Sequence, residues 1–288
     1  TITHSIKFTF LVFYNIIIFI NGHIVKGGMG DEKVVILCGG KGTRLREETE
    51  FRPKPLVLVG DKPILWHIMK TYSHYGYNNF VLCLGYKGDM IKDYFLNLDY
   101  THDFKFNPAK KELDIFNKDL PDWNIIFANT GIDSQTGHRI RQIQKYINED
   151  NFFLTYGDGL ADISINDLYN FHKNHGKIAT LTTVRPFTRF GNLTISDTGN
   201  LVTDFEKKSI HHIGWIDGGF FVFKPSLFDY LEPGEDLKLE AEPLRKLAKD
   251  GQFHAYKHNG FWQCMDTIRD HEFLNELWNS GRAPWKVW

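Results

Sequence analysis

KVVILCGGKGTRLREETEFRPK, residues Lys33 to Lys54, decides how the rest of this 288-residue chain is read. Lys33 to Cys38 is a short apolar run rich in β-branched residues, which predicts a buried strand. Gly39, Gly40, Lys41 and Gly42 form a glycine-rich turn directly after it. Glycines there let backbone N–H groups approach a ligand and adopt positive φ. Arg44 and Lys54 bring fixed positive charge to the same mouth. A strand that ends in a glycine loop flanked by two cations suits a polyphosphate.

The spacing excludes two familiar phosphate loops. A P-loop needs GxxxxGK[ST], and a dinucleotide fingerprint needs GxGxxG. Gly40-Lys41-Gly42-Thr43-Arg44-Leu45 supplies neither. Hydrophobic residues at 42% and charged residues at 24% match an ordinary globular protein. A formal net charge of −1 gives no electrostatic reason to expect nucleic acid. Cys38, Cys83 and Cys264 are far apart, without CxxC pairing, and read as free thiols of a reducing compartment. No HExxH pattern marks a zinc site.

Outward from the loop, strand-like and helix-like segments alternate. Helices are expected at Pro63–Tyr75, Met90–Leu98, Arg139–Ile147 and Ser164–His175, the last with Ser164 as N-cap. Strands are expected at Phe80–Tyr86, Trp123–Ala128, Phe152–Tyr156 and Lys177–Val184. This alternation predicts an α/β fold: a doubly wound, mostly parallel mixed sheet of the Rossmann-like kind. After Val184 the segments Gly191–Ser196, Leu201–Glu206 and Ile213–Phe223 read as more antiparallel strands. Helices follow at Pro225–Leu231, Ala241–Lys249 and Ile268–Ser280, with a strand at Phe253–His258. The expected organisation is a single domain over residues 29–288. Its nucleotide-binding half covers about 33–184, and an antiparallel sugar-binding half covers about 185–288. Ligands of open α/β sheets sit beyond the carboxyl ends of the strands, where Gly39–Arg44, Gly157–Asp158 and Asp266 can meet.

Residues 1–28 stand apart. Phe8–Ile20 is apolar but shorter than the roughly 20 residues of a membrane helix. Lys7 precedes it as in a signal sequence, yet no small-residue cleavage site follows. The expectation is an upstream extension or an apolar, disordered segment, with the working protein starting at Met29 and no membrane association.

GGxGTRL followed ten residues after Arg44 by the lysine of Pro53-Lys54 resembles the signature of the sugar-phosphate nucleotidyltransferases. GGKGTRLREET, KPILWHIM, GYKGDMIKDYF, TYGDGLAD, GGFFVF, GFWQCMDTIRD and APWKVW are similar to the glucose-1-phosphate cytidylyltransferase (CDP-glucose pyrophosphorylase) branch, from Lys33 to Trp288. The resemblance implies attack of α-D-glucose 1-phosphate on CTP, giving CDP-glucose and pyrophosphate, in a Mg²⁺-dependent, cytoplasmic enzyme of CDP-sugar supply for surface polysaccharide. It implies a homo-oligomer, of which a hexamer is one form. Leu37, Cys38, Gly39, Gly40, Lys41, Gly42, Thr43 and Arg44 would wrap the nucleotide. Arg44 would neutralise pyrophosphate, and Lys54 would bridge the α-phosphate and the attacking phosphate. Ser134, Arg139 and Gly157 would contact the nucleotide, and Asp158 and Asp266 would hold the metal. Glu206 and Lys207 would meet glucose hydroxyls and its phosphate.

Each has a plainer alternative. Asp158 is also a turn residue, Asp266 an N-cap for the helix near Ile268, Arg139 a solvated helix residue, and Glu206-Lys207 a surface pair. Trp262 is expected to pack the cleft wall. Lys41, His138, Lys208 and Asp217 depart from the family pattern, and Asp217 replaces an asparagine. Rival readings are the same fold with UTP, dTTP, GTP or another sugar phosphate, a catalytically dead sugar-nucleotide sensor or subunit, and a membrane-anchored form using Phe8–Ile20.

Overall fold

The computed structural model describes residues 17–20, 23–26, 30–98, 104–116, 120–185, 191–195, 202–207, 214–234 and 236–288. Seven strands build the central sheet: β1 (Lys33–Leu37), β2 (Asn79–Leu84), β3 (Asn124–Asn129), β4 (Phe152–Tyr156), β5 (Ala179–Val184), β6 (Ile216–Phe223) and β7 (Phe253–Lys257). Their order is β7–β5–β6–β4–β1–β2–β3. β4, β1, β2 and β3 pair parallel to their neighbours, as do β5 and β7; only β6 runs against the rest. The sheet is therefore mixed and mostly parallel.

The apolar runs are continuous because both faces of the sheet are covered. Successive side chains of a strand point to opposite faces. Val34 and Ile36 of β1 enter one core with Phe80, Leu82, Phe153, Phe220 and Val222. Val35 enters the other with Val81, Cys83, Leu154, Phe221 and Phe223. Helices α1 (Ile64–His74), α2 (Gly88–Leu96), α4 (Ile165–His175) and α6 (Ile268–Asn279) seal the first face through Ile68, Ile91, Leu168 and Leu274. Helices α3 (Thr136–Gln142) and α5 (Glu242–Lys249) seal the second through Ile140 and Leu247. Ser164 caps α4 as expected, its hydroxyl accepting from Asp167 N at 3.2 Å.

Two elements differ from the reading of the chain. The helix expected at Arg139–Ile147 begins at Thr136 and gives way to a 3-10 turn at Gln144–Tyr146. Its start is tied to the segment Leu237–Leu239: His138 N donates to Leu237 O, and Leu239 N donates to the Thr136 hydroxyl. Ile140, Ile143 and Ile147 still reach the core, so their spacing alone could not reveal the break. Pro225–Tyr230 is likewise 3-10 rather than α. Ile17–Ile20 pairs antiparallel with His23–Lys26, whereas Met29 and most of Phe8–Ile20 lie outside the described residues. Among the described residues no helix is long and apolar enough to cross a membrane.

The buried histidines carry a prediction. His67 Nε2 donates to Val59 O at 2.8 Å, while its other ring nitrogen faces Trp285 Nε1 at 3.4 Å, tying the Trp285 tail to α1. His172 sits between Thr180 Oγ1 at 2.8 Å and Asn151 Oδ1 at 3.0 Å. Burial pushes His67 down to about 4, and burial together with neighbouring His175 pushes His172 down to about 3. An unfolded histidine binds its proton near pH ~6.5. Below that the unfolded chain binds more protons, so stability is lost as pH falls from there toward 4 and 3. Thermal midpoints should fall across this window, and His172→Asn should flatten the slope. Parallel slopes for the two proteins would refute the assignment.

Candidate active site

The carboxyl ends of β1, β2, β3 and β4 open on one edge of the sheet. Chain order reverses between β1 and β4, and the crevice at such a switch point is where α/β folds bind ligands. Because β6 runs the other way, it delivers its first residues, Asp217 to Gly219, to this same edge.

The glycine loop is shaped by what it must pass. Gly39 O accepts from Tyr86 N at 3.2 Å and from Arg139 Nη2 at 3.0 Å. A Cβ on Gly39 would lie 2.2 Å from Arg139 Nη1, so only glycine fits. Gly42 has φ 63°, a left-handed conformation, and its carbonyl accepts from Thr49 Oγ1 at 3.0 Å. The 3-10 turn Thr43–Leu45 then buries Leu45 and leaves the Arg44 side chain reaching outward. A second 3-10 turn, Lys54–Leu56, directs Lys54 inward.

Asp158 and Asp266 are separated by 108 positions in the chain and brought together by one small ladder. Gly159–Ala161 pairs antiparallel with Trp262–Cys264, and Met265 N donates to Asp158 O at 2.8 Å. Lys54 Nζ lies 2.6 Å from Asp158 Oδ2 and 2.6 Å from Asp266 Oδ1. Arg44 Nη1 lies 2.6 Å from Asp266 Oδ2. Burial opposes the Lys54 charge, but the charge and hydrogen bonds of the two aspartates outweigh it and hold its pKa above the usual lysine range. Asp266 does not cap α6. Thr267 does, in a capping box with Asp270, whose carboxylate also accepts from Asp266 N at 3.2 Å.

A cavity of about 370 Å³ gathers most of the expected residues: Leu37, Cys38, Gly39, Gly40, Gly42, Thr43, Arg44, Lys54, Ser134, Arg139, Gly157, Asp158 and Asp266. Pro55, Gln135, Thr136 and Tyr156 complete its lining; of these only Tyr156 falls in a motif singled out above, TYGDGLAD. Lys41 points elsewhere on the rim, to Asp133 at 2.8 Å. Arg139 is buried at 4% exposure rather than solvated. Its guanidinium donates to Leu84 O, Gly131 O, Ile132 O, Gly39 O and Thr130 Oγ1. A second cavity of about 240 Å³ adjoins the first beyond Asp158 and Asp266, lined by Asp217, Gly218, Gly219, Trp262 and Cys264 among others. Trp262 forms its wall and donates to Gly218 O at 2.8 Å. The strand holding Glu206 and Lys207 pairs with Gly191–Ile195, and the side chains of those two residues lie outside the described residues.

Two adjoining cavities, a glycine loop and a cluster of two cations with two carboxylates meet at this edge of the sheet. Residues 33–272 match the nucleotidyl transferase family model, and the chain belongs to that family. It is 47% identical over 259 residues to glucose-1-phosphate cytidylyltransferase of Salmonella typhi, covering 89% of this chain and 99% of that protein. The same identity and coverage hold for glucose-1-phosphate cytidylyltransferase of Salmonella typhimurium. HddC from Yersinia pseudotuberculosis, at 23% identity, shares the fold with a TM-score of 0.64 over 86% of this chain and 99% of that one.

Proposed function

We propose that this enzyme transfers the cytidylyl group of CTP to α-D-glucose 1-phosphate, giving CDP-glucose and pyrophosphate. The observation that carries nucleotidyl transfer is the meeting of Arg44, Lys54, Asp158 and Asp266 on the glycine loop. The 47% identity to the two Salmonella enzymes supports the choice of base and sugar.

Both reactants are anions, so the protein's task is positioning and charge compensation. A phosphate oxygen of the sugar phosphate attacks the α-phosphorus in line. A new P–O bond forms as the bond to pyrophosphate breaks. The loop from Leu37 to Thr43 and Ser134 hold the nucleotide, with Gly157 keeping the floor low: a Cβ there would lie 2.9 Å from Leu37 O. Lys54 compensates charge on the α-phosphate and the attacking phosphate. Arg44 pairs with the departing pyrophosphate, because its planar fork binds phosphate oxygens in pairs. Glu206 and Lys207 serve the sugar end.

A divalent ion fits the donor set. Two carboxylates converge on one ammonium, 2.6 Å from each, so they already share the position of a cation. Mg²⁺ prefers one or two carboxylates together with phosphate oxygens and water. Asp158 and Asp266 would hold it, and when bound it would supply positive charge between the reacting phosphates. The same reading carries a nucleotide-binding half over about 33–184, a sugar-binding half over about 185–288, a homo-oligomer and a cytoplasmic setting.

The test is pyrophosphate release from CTP, UTP, dTTP and GTP, each with glucose 1-phosphate. CTP should lead. Faster turnover with UTP would overturn the base assignment, and no turnover with any nucleotide would favour a non-catalytic binding protein.

A further inference from the structure

Lys54 and Asp266 reach the site on two separate arms of the chain, and the arms are joined away from it. Lys54 opens the 3-10 turn Lys54–Leu56, which runs into a hairpin. Val57 N donates to Lys54 O at 3.0 Å, and Leu58–Val59 pairs antiparallel with Lys62–Pro63. Asp266 directly precedes Thr267, the cap of α6. His271, Asn275 and Trp278 of α6 meet the tip of that hairpin. His271 Nε2 donates to Leu58 O at 2.8 Å. Asn275 Oδ1 accepts from Gly60 N at 2.8 Å, and its Nδ2 donates to His271 O at 3.0 Å, a pairing that one orientation of the amide satisfies. The Trp278 ring lies against Gly60, which has φ 66°; a Cβ there would lie 2.0 Å from Trp278 Cδ1. From α1, His67 Nε2 donates to Val59 O at 2.8 Å. Leu58 O, Val59 O and Gly60 N, three successive residues, are thus each held by a side chain.

Residues four and seven positions after His271 share its side of the helix, so one helical stripe grips the tip. The net worth of a hydrogen bond is small, because water serves the same groups in the unfolded chain. What these bonds add is position. α6 does not need them to stay seated: Leu274 is fully buried in the core, and the capping box of Thr267 and Asp270 holds its first turn. The nucleotide loop is held by other groups, Arg139 on Gly39 O and Thr49 on Gly42 O. The hairpin tip is therefore the one part whose place depends on His271 and Asn275, and Lys54 is the site residue it carries.

We propose that Asn275 and His271 are positioning residues for the transfer: by clamping the hairpin tip to α6 they fix Lys54 against Asp266 and hold its ammonium where the attacking phosphate and the α-phosphate must meet. The inference deepens the function proposed above and rests on it. With the clamp cut, α6 and Asp266 keep their place while the hairpin and Lys54 drift. A group that acts on two phosphates at once is sensitive to such drift, since misplacement by a fraction of an ångström raises the barrier more than it weakens binding.

Asn275→Leu takes the acceptor from Gly60 N and should lower kcat about tenfold, with KM for CTP within about twofold of wild type. Asn275→Asp keeps an oxygen toward Gly60 N and should recover kcat to within about threefold of wild type. In a Lys54→Met background, Asn275→Leu should change kcat by less than about twofold, because the group it positions is already gone. Hydrogen exchange at the Gly60 amide of the full chain, read by NMR without substrate, tests the clamp itself: slow in the wild type and in Asn275→Asp, fast in Asn275→Leu. His271→Ala cuts the bond to Leu58 O from the outer side of the helix and should lower kcat about threefold, so the test stands even if Asn275→Leu does not fold. Unchanged kcat in Asn275→Leu or, where that variant does not fold, in His271→Ala overturns the proposal. So does an undiminished tenfold loss in the Lys54→Met background, or fast exchange at Gly60 in the wild type. Failure of the nucleotidyl-transfer reading would look different: no turnover of any nucleotide by the wild type, with Gly60 still protected.

Discussion

Asp266→Asn lowers turnover by roughly 10²–10³-fold, the usual cost of removing one group that stabilises charge at a reacting centre. The expectation follows from position rather than from charge count. Asp266 faces both cations of the site, Lys54 on one oxygen and Arg44 on the other. Its backbone is fixed by the Asp270 carboxylate, so an amide in its place keeps the geometry and loses the charge. Calorimetric titration of Mg²⁺ in the presence of CTP gives a second readout: the variant should bind the ion more weakly than the wild type. Full turnover together with unchanged ion binding in both Asp158→Asn and Asp266→Asn would remove the aspartates from the mechanism.

Arg139→Ala destabilises the folded chain by about 3–5 kcal/mol, the scale for stripping a buried charged group from its partners. The carbonyls of Gly39, Leu84, Gly131 and Ile132 and the Thr130 hydroxyl each lose the bond from Arg139, although Gly39 O keeps Tyr86 N and Leu84 O keeps Thr130. Burial lowers the pKa of the guanidinium, and the neighbouring Cys83, Cys38 and Asp133 oppose that. The loss reaches function through the loop. Gly39 O loses one of its two donors, and the guanidinium fills the space a Cβ on Gly39 or Gly85 would need. Urea denaturation measures the first effect and KM for CTP the second. A variant as stable as wild type with unchanged KM would mean the five bonds contribute little. Arg139→Lys should recover only part of the loss, since a point charge cannot span carbonyls from three loops.

Much of this was legible in the chain because it is written locally. An apolar run next to glycines reads as strand and phosphate loop, and β1, β2, β4 and β5 appear within two residues of where they were expected. Asp158 and Asp266 could be nominated through the resemblance, but their meeting depends on the pairing of Gly159 with Cys264, which no local pattern announces. Arg139 reads in the chain as a nucleotide contact or, more plainly, a solvated helix residue; its burial among main-chain carbonyls leaves no trace in side-chain identity. The capping box at Thr267-x-x-Asp270 was readable and would have relieved Asp266 of the capping role. The hold of His271 and Asn275 on Leu58 and Gly60 joins distant segments through main-chain groups and was not legible in the chain.

β6 has a bearing on how the polypeptide is made. It is inserted between β4 and β5, both of which are synthesised well before it. Until residue 223 has left the ribosome, those two strands each present an open edge with nothing to zip against, and unpaired edges recruit other chains. A fragment ending at residue 184 would inherit that defect permanently. The nascent protein therefore has reason to depend on chaperone shelter during this interval, and its two halves have reason to melt as one cooperative unit.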